Sequence, residues 1–196
     1  MVSPPRKPTP AAQDLLDRAN RALDGVPDPE IPVVSIRELG ILRGVALQER
    51  DDGPHVEVII TPIYSGCPAM TQIADDIHAA LRAADLPSHS VHTVLAPAWT
   101  TDWITPAARD KLRAYGIAPP HAATGLHACA GETAAGAAPP ARPIRWTLRA
   151  DIEQDPACPR CGSPATERIA QSGSTACKAL YRCRSCREPF DYFKPY

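Results

Sequence analysis

Long apolar runs are missing from this sequence: no stretch approaches the roughly 20 residues that a membrane-spanning helix needs. An excess of one charge is missing too, since 21 Lys and Arg stand against 22 Asp and Glu, a net charge of −1. That balance argues against non-specific binding to nucleic acid or to an anionic membrane. Aromatic residues are scarce, at 5%, so the core must come mainly from Val, Ile, Leu and Ala. The proline-rich start MVSPPRKPTP does not read as a secretory signal, and the expected setting is a reducing cytoplasm that leaves thiols free for metals. There is no glycine-rich phosphate loop, no Ser-His-Asp series and no His-Glu-x-x-His helix. No two of the six histidines share a metal-binding helical register. A self-sufficient enzyme site is therefore not expected.

What the chain does have is cysteine, seven in 196 residues. Four of them form two Cys-x-x-Cys knuckles, Cys158/Cys161 and Cys183/Cys186. Each such turn presents two sulfurs on one side of a tight loop, and two turns together make a four-thiolate tetrahedral site. Zinc is the first choice, because it takes four thiolates without redox chemistry; iron in a rubredoxin-like arrangement is the competitor. A module of this size has too little core of its own, so metal would supply much of its folding free energy. From residue 151 onward there are seven Lys/Arg and six Asp/Glu. Four thiolates and one Zn²⁺ bring the module to about −1, which makes it a poor phosphate binder.

Ahead of the ribbon, the chain reads as alternating helices and strands. Thr9 and Pro10 start a helix as N-cap and first-turn proline, and Gly25 ends it. Ile41 to Leu47 and Val56 to Ile60 read as a hairpin around Asp51-Asp52-Gly53-Pro54. Pro68 suits the first position of a second helix, which puts Cys67 at or near its N-cap. Val91 to Leu95 is a third strand, and Thr105-Pro106 to Gly116 a third helix. This predicts an α+β fold, a small three-stranded sheet with helices on one side, plus a C-terminal zinc ribbon. The expected domains are 9–120 and 144–196. Between them, 121–143 is rich in Ala, Gly and Pro and reads as a linker, and a strand is expected at 144–149.

Several residues are candidates for chemistry. A thiol at a helix N-terminus feels the positive end of the helix dipole, so Cys67 is either an activated thiolate, able to hold metal transiently, or a cap or core residue. Asp28 and Glu30, separated by Pro29, are either an acid pair or turn caps. Trp99 and Trp103 are a partner patch or packing. Cys177 is a leftover thiol, either idle or a transient metal site, and Cys129 carries no expected role.

Two stretches, DPEIPVVSIRELG (28–40) and TPIYSGCPA (61–69), resemble the iron–sulfur assembly domain of the SufT type. PAWTTDWIT (97–105), GIAPP (116–120), GSTACKALYRC (173–183) and PFDYFKP (189–195) are similar to a narrower branch, the PaaD (PaaJ) family of phenylacetyl-CoA epoxidase systems. The resemblance implies a cytoplasmic, non-catalytic accessory protein of aerobic phenylacetate breakdown. Its partners would be the other epoxidase subunits, oxygenase and reductase, and its task maturation of a metal centre, first of all an iron–sulfur cluster. Cys67 matches the family's assembly cysteine, and Asp28, Glu30 and Thr61 its flanking motifs. A purely structural subunit and a rubredoxin-like carrier are the alternatives, and a homodimer is left open.

Overall fold

The computed structural model describes residues 9–51, 53–121 and 155–196. The expected linker 121–143 (its first residue apart), the expected strand at 144–149, Cys129 and the middle of the first hairpin turn lie outside these residues.

Helix α1 spans Pro10–Asp24, with the Thr9 side chain accepting from the Ala12 N–H at 3.3 Å and Pro10 in the first turn. Strands β1 (Leu42–Arg50) and β2 (Gly53–Ile60) pair antiparallel. Helix α2 (Ala69–Ala83) follows, and β3 (His89–Thr93) returns parallel to β2, giving the order β1-β2-β3. The third strand thus sits two residues earlier than its sequence suggests. Leu95, expected to end it, is exposed. Val56, Val58 and Ile60 alternate inward along β2, against Ile73, Ile77 and Leu81 of α2 and Leu23 of α1 in one core.

Helix α3 (Pro106–Tyr115) has Thr105 as N-cap and Gly116 as a left-handed C-cap at φ 99°. Helices α1 and α2 pack on the three-stranded sheet, whereas α3 packs beside β4 (Ile117–Ala118). That two-residue strand belongs to a second sheet. Its companions are β5 (Thr166–Ala170), β6 (Lys178–Cys183) and β7 (Pro189–Phe193), in the order β4-β7-β6-β5. Ile117 and Ala118 pair parallel with Asp191 and Tyr192 of β7. The first module therefore donates an edge strand to the ribbon, where the sequence promised only a connection after Gly116.

The two modules also share a core. Phe193, fully buried, and Cys177, at 2% exposure, belong to the larger apolar cluster with Leu39, Ile41, Ile63, Ile73 and Trp99. The Trp99 and Phe193 rings lie 6.1 Å apart, and the Trp99 indole N–H donates to Leu39 O at 2.9 Å. A smaller cluster, with Cys158, Cys183, Tyr181, Phe190 and Tyr192, is the ribbon's own. Gly40, which closes the 28–40 motif, has φ 72°, and a Cβ there would come 2.5 Å from Trp103 Cβ. The motif ends on glycine because the turn needs a left-handed residue and Trp103 leaves no room for anything larger.

Candidate functional site

The ribbon knuckles converge as their spacing predicts. The ligand atoms of Cys158, Cys161, Cys183 and Cys186 all lie within 4.8 Å of one another. Cys158 Sγ is 3.7 Å from Cys186 Sγ, and Cys161 Sγ is 3.6 Å from Cys183 Sγ. A tetrahedral metal with bonds of about 2.3 Å to sulfur holds its sulfurs about 3.8 Å apart, so the donor set and its spacing fit such an ion. Backbone N–H groups of Cys186 and Ser185 pull the Cys183 thiol down to about 6. Cys158 and Cys183 are buried, whereas Cys161 and Cys186 are exposed. Among the described residues no other group of three or more Cys, His, Asp and Glu converges this closely.

Cys67 is arranged differently. It stands on the loop between β2 and α2, one residue before Pro68, the N-cap of α2. Its backbone N–H donates to Tyr64 O at 3.2 Å, and its side chain is half-buried. Of the two readings left open by the sequence, activation by the helix terminus does not prevail. Burial pushes the Cys67 thiol above its ordinary 9.0, and the carboxylates of Glu30 and Asp28 add to this; the Ala69 N–H and Tyr64 only partly offset it. The helix terminus supplies a hydrogen bond, but desolvation and two nearby negative charges outweigh it.

Asp28, Glu30 and Cys67 do come together. They line one small cavity with Tyr64, Met70 and, from the ribbon, Cys177. Asp28 is buried and caps its turn, Oδ1 accepting from the N–H groups of Glu30 (3.0 Å) and Ile31 (2.8 Å). Burial raises its pKa, although these two donors pull the other way. Glu30 reaches Cys177, whose Sγ sits 3.7 Å from Glu30 Oε2 and 3.0 Å from Thr175 Oγ1. Burial pushes Cys177 up to about 11. Tyr64 and Tyr196 stack at 6.4 Å beside this group. Thr61 is buried at the start of the loop, and its Oγ1 finds no hydrogen-bond partner among the described residues. Trp99 is buried packing. Trp103 is partly buried and lies under Arg43, whose guanidinium carbon is 3.4 Å from the ring centroid.

Sequence reasoning left Cys177 unassigned and did not single out Tyr64 or Tyr196. Cys177 is six positions before Cys183, so spacing ties it to the ribbon; only the packing of β6 and β7 turns it toward the first module. The nearest legible signal was that it is an odd thiol in a motif shared with the resembling family.

The architecture defines a class: a small α+β domain followed by a four-cysteine ribbon. Residues 16–96 match the family described as iron–sulfur cluster assembly protein, and residues 147–194 match the PaaD zinc beta ribbon domain. The chain is 44% identical, over 88% of its own length and 88% of the relative's, to an Escherichia coli (strain K12) protein named as the D component of a "Putative 1,2-phenylacetyl-CoA epoxidase". It belongs to that family, the PaaD proteins of phenylacetyl-CoA epoxidase. Among solved structures, it is similar to a domain of unknown function from Bacillus anthracis, with 24% identity and a TM-score of 0.46, covering 52% of this chain and 94% of that one. A Mycobacterium tuberculosis protein described as associated with Fe–S complex assembly and repair shares 30% identity at a TM-score of 0.34, covering 57% of this chain and 92% of that one. No helix among the described residues is long and apolar enough to cross a membrane.

Proposed function

We propose that this chain is a non-catalytic, cytoplasmic accessory protein of the phenylacetyl-CoA 1,2-epoxidase system that helps fit iron or an iron–sulfur cluster into a partner oxygenase or reductase. One observation carries the reading: the half-buried thiol of Cys67 borders a cavity with Asp28 and Glu30, inside the segment that matches an iron–sulfur assembly family. The metal is cargo here. Cys67 would bind it through sulfur after losing its proton, and its raised pKa favours release once the cargo moves on. Asp28 shapes the turn that presents Glu30, and Thr61 opens the loop that carries Cys67.

The four ribbon cysteines would hold zinc, a redox-silent ion suited to a structural tetrahedral thiolate set. In this reading the modules are 9–120 and 144–196, joined through 121–143. The test is co-expression with the partner proteins. Replacing the wild type by Cys67→Ser should lower the iron content and epoxidase activity of the purified partners several-fold. Partners that reach full iron and activity with Cys67→Ser would remove the assigned role of Cys67 and leave a structural component.

A further inference from the structure

The ribbon has five cysteines in the described region, and four of them meet at the knuckle site. The fifth, Cys177, is packed in the first module's core, not in the ribbon's own. It lines the same cavity as Cys67, with Glu30 between the two modules and 3.7 Å from its sulfur. Two thiols and a carboxylate from three separate parts of the chain thus border one enclosed space.

From this juxtaposition we infer that Cys67, Cys177 and Glu30 form a second metal site, built across the junction of the modules, which takes a single divalent transition-metal ion. The inference rests on the reading of Cys67 as a metal-handling thiol and adds its partner ligands. The cavity as it stands suits a single ion better than a cluster, since it has room for about one water-sized atom. A multi-iron cluster does not fit without the cavity opening. Two thiolates with one carboxylate are a mixed donor set, which suits Fe²⁺ or Zn²⁺ better than Mg²⁺ or Ca²⁺.

Binding releases two protons, one from each thiol, and leaves two thiolates, one carboxylate and one dication, a net charge of −1. Burial holds Asp28 and Cys177 toward their neutral forms, and the buried Lys178, whose Nζ lies 3.9 Å from Asp191 Oδ2, opposes this only in part. The three donor atoms are not yet within 4.8 Å of one another, so the ion must draw them together. The Cys67 loop can supply that movement. It follows Gly66, which has φ 87° and open space around it, and Ser65 and Gly66 are exposed. On this view the ribbon completes the metal-handling site as well as holding its own ion.

The test is anaerobic titration of the full chain, loaded with one zinc, by Co²⁺ as a probe whose thiolate charge-transfer absorption counts sulfur ligands. The wild type is expected to take one Co²⁺ beyond its zinc, with an absorption of two-thiolate strength. Cys67→Ser and Cys177→Ser should each halve that absorption and weaken binding at least tenfold. Glu30→Gln, at a partly exposed position, should weaken binding while keeping the absorption, and so serves if the buried Cys177 variant fails to fold. No second ion in the wild type would overturn the site, and so would an unchanged Co²⁺ spectrum and affinity in both Cys177→Ser and Glu30→Gln. The parent reading fails separately: a chain that binds the second ion as described while Cys67→Ser still supports full partner iron keeps this site but loses the maturation role.

Discussion

Cys177 Sγ lies 3.7 Å from Glu30 Oε2, although 147 positions separate the two residues. The contact ties the residue just before β6 to the 28–40 motif and brings a thiol of the ribbon to the cavity that Cys67 borders. Together with the pairing of β4 and β7, it makes the two modules one packed unit. Four predictions depend on that coupling or on the site it builds.

Removing the ribbon metal should destabilise the whole chain. Phe193 and Cys177 sit in the first module's core, so a ribbon that loses its ion pulls away part of that core. Chelation is expected to lower the thermal midpoint of the first module's α-helical signal as well as that of the ribbon. Cys161→Ser, at an exposed knuckle cysteine, should do the same. A helical melt unaffected by chelation would mean that the modules fold independently.

Phe193→Ala should cost about 3 to 5 kcal/mol, the usual range for emptying a fully buried aromatic position. The loss falls on both modules because the ring packs 6.1 Å from Trp99. Urea unfolding followed by Trp fluorescence reads it directly, and a change below about 1 kcal/mol would contradict the shared core.

The stability of the protein should fall as pH rises between about 9 and 11. An unfolded Cys177 thiol ionises near 9.0, whereas the folded one holds its proton up to about 11. Between those values the unfolded state binds fewer protons, so its free energy drops relative to the folded state. The contribution, present below pH 9, is about 3 kcal/mol and is lost as the folded thiol titrates. Denaturant melts across this range should be steeper in pH for the wild type than for Cys177→Ala. Equal slopes would show that Cys177 is not held neutral by burial.

Thr61→Val should leave stability unchanged or raise it by about 1 kcal/mol. Its hydroxyl is buried without a partner among the described residues, and a desolvated, unsatisfied donor costs about 1 to 3 kcal/mol that an apolar isostere avoids. If the variant is as stable as the wild type yet partner iron falls, the hydroxyl serves the Cys67 loop in function. A marked loss of stability would mean that the hydroxyl has a partner in solution.

The local features were legible in the residues alone. Thr9 with Pro10 and Gly25, and Thr105 with Pro106 and Gly116, specify helix ends through their own caps, and both helices begin and end there. The knuckle cysteines specify their site because two residues between ligands set the turn, whatever surrounds it. The pattern of Val56, Val58 and Ile60 marks an inward face by its period of two. The third strand was offset because Val94 and Leu95 are apolar like strand residues, yet lie past the last pairing with β2.

What tertiary structure decided is everything that depends on neighbours distant in sequence. The charge preference of Cys67 follows from desolvation and from Glu30 and Asp28, not from the helix terminus next to it. The partnership of β4 with β7 rests on two residues, too short a strand to leave a periodic signal. Which core Cys177 enters is set by packing, and its place in the sequence left that open. Chain spacing encodes turns and helix faces because those contacts are a few residues apart. It cannot encode a sulfur and a carboxylate meeting across two folded modules, as those of Cys177 and Glu30 do.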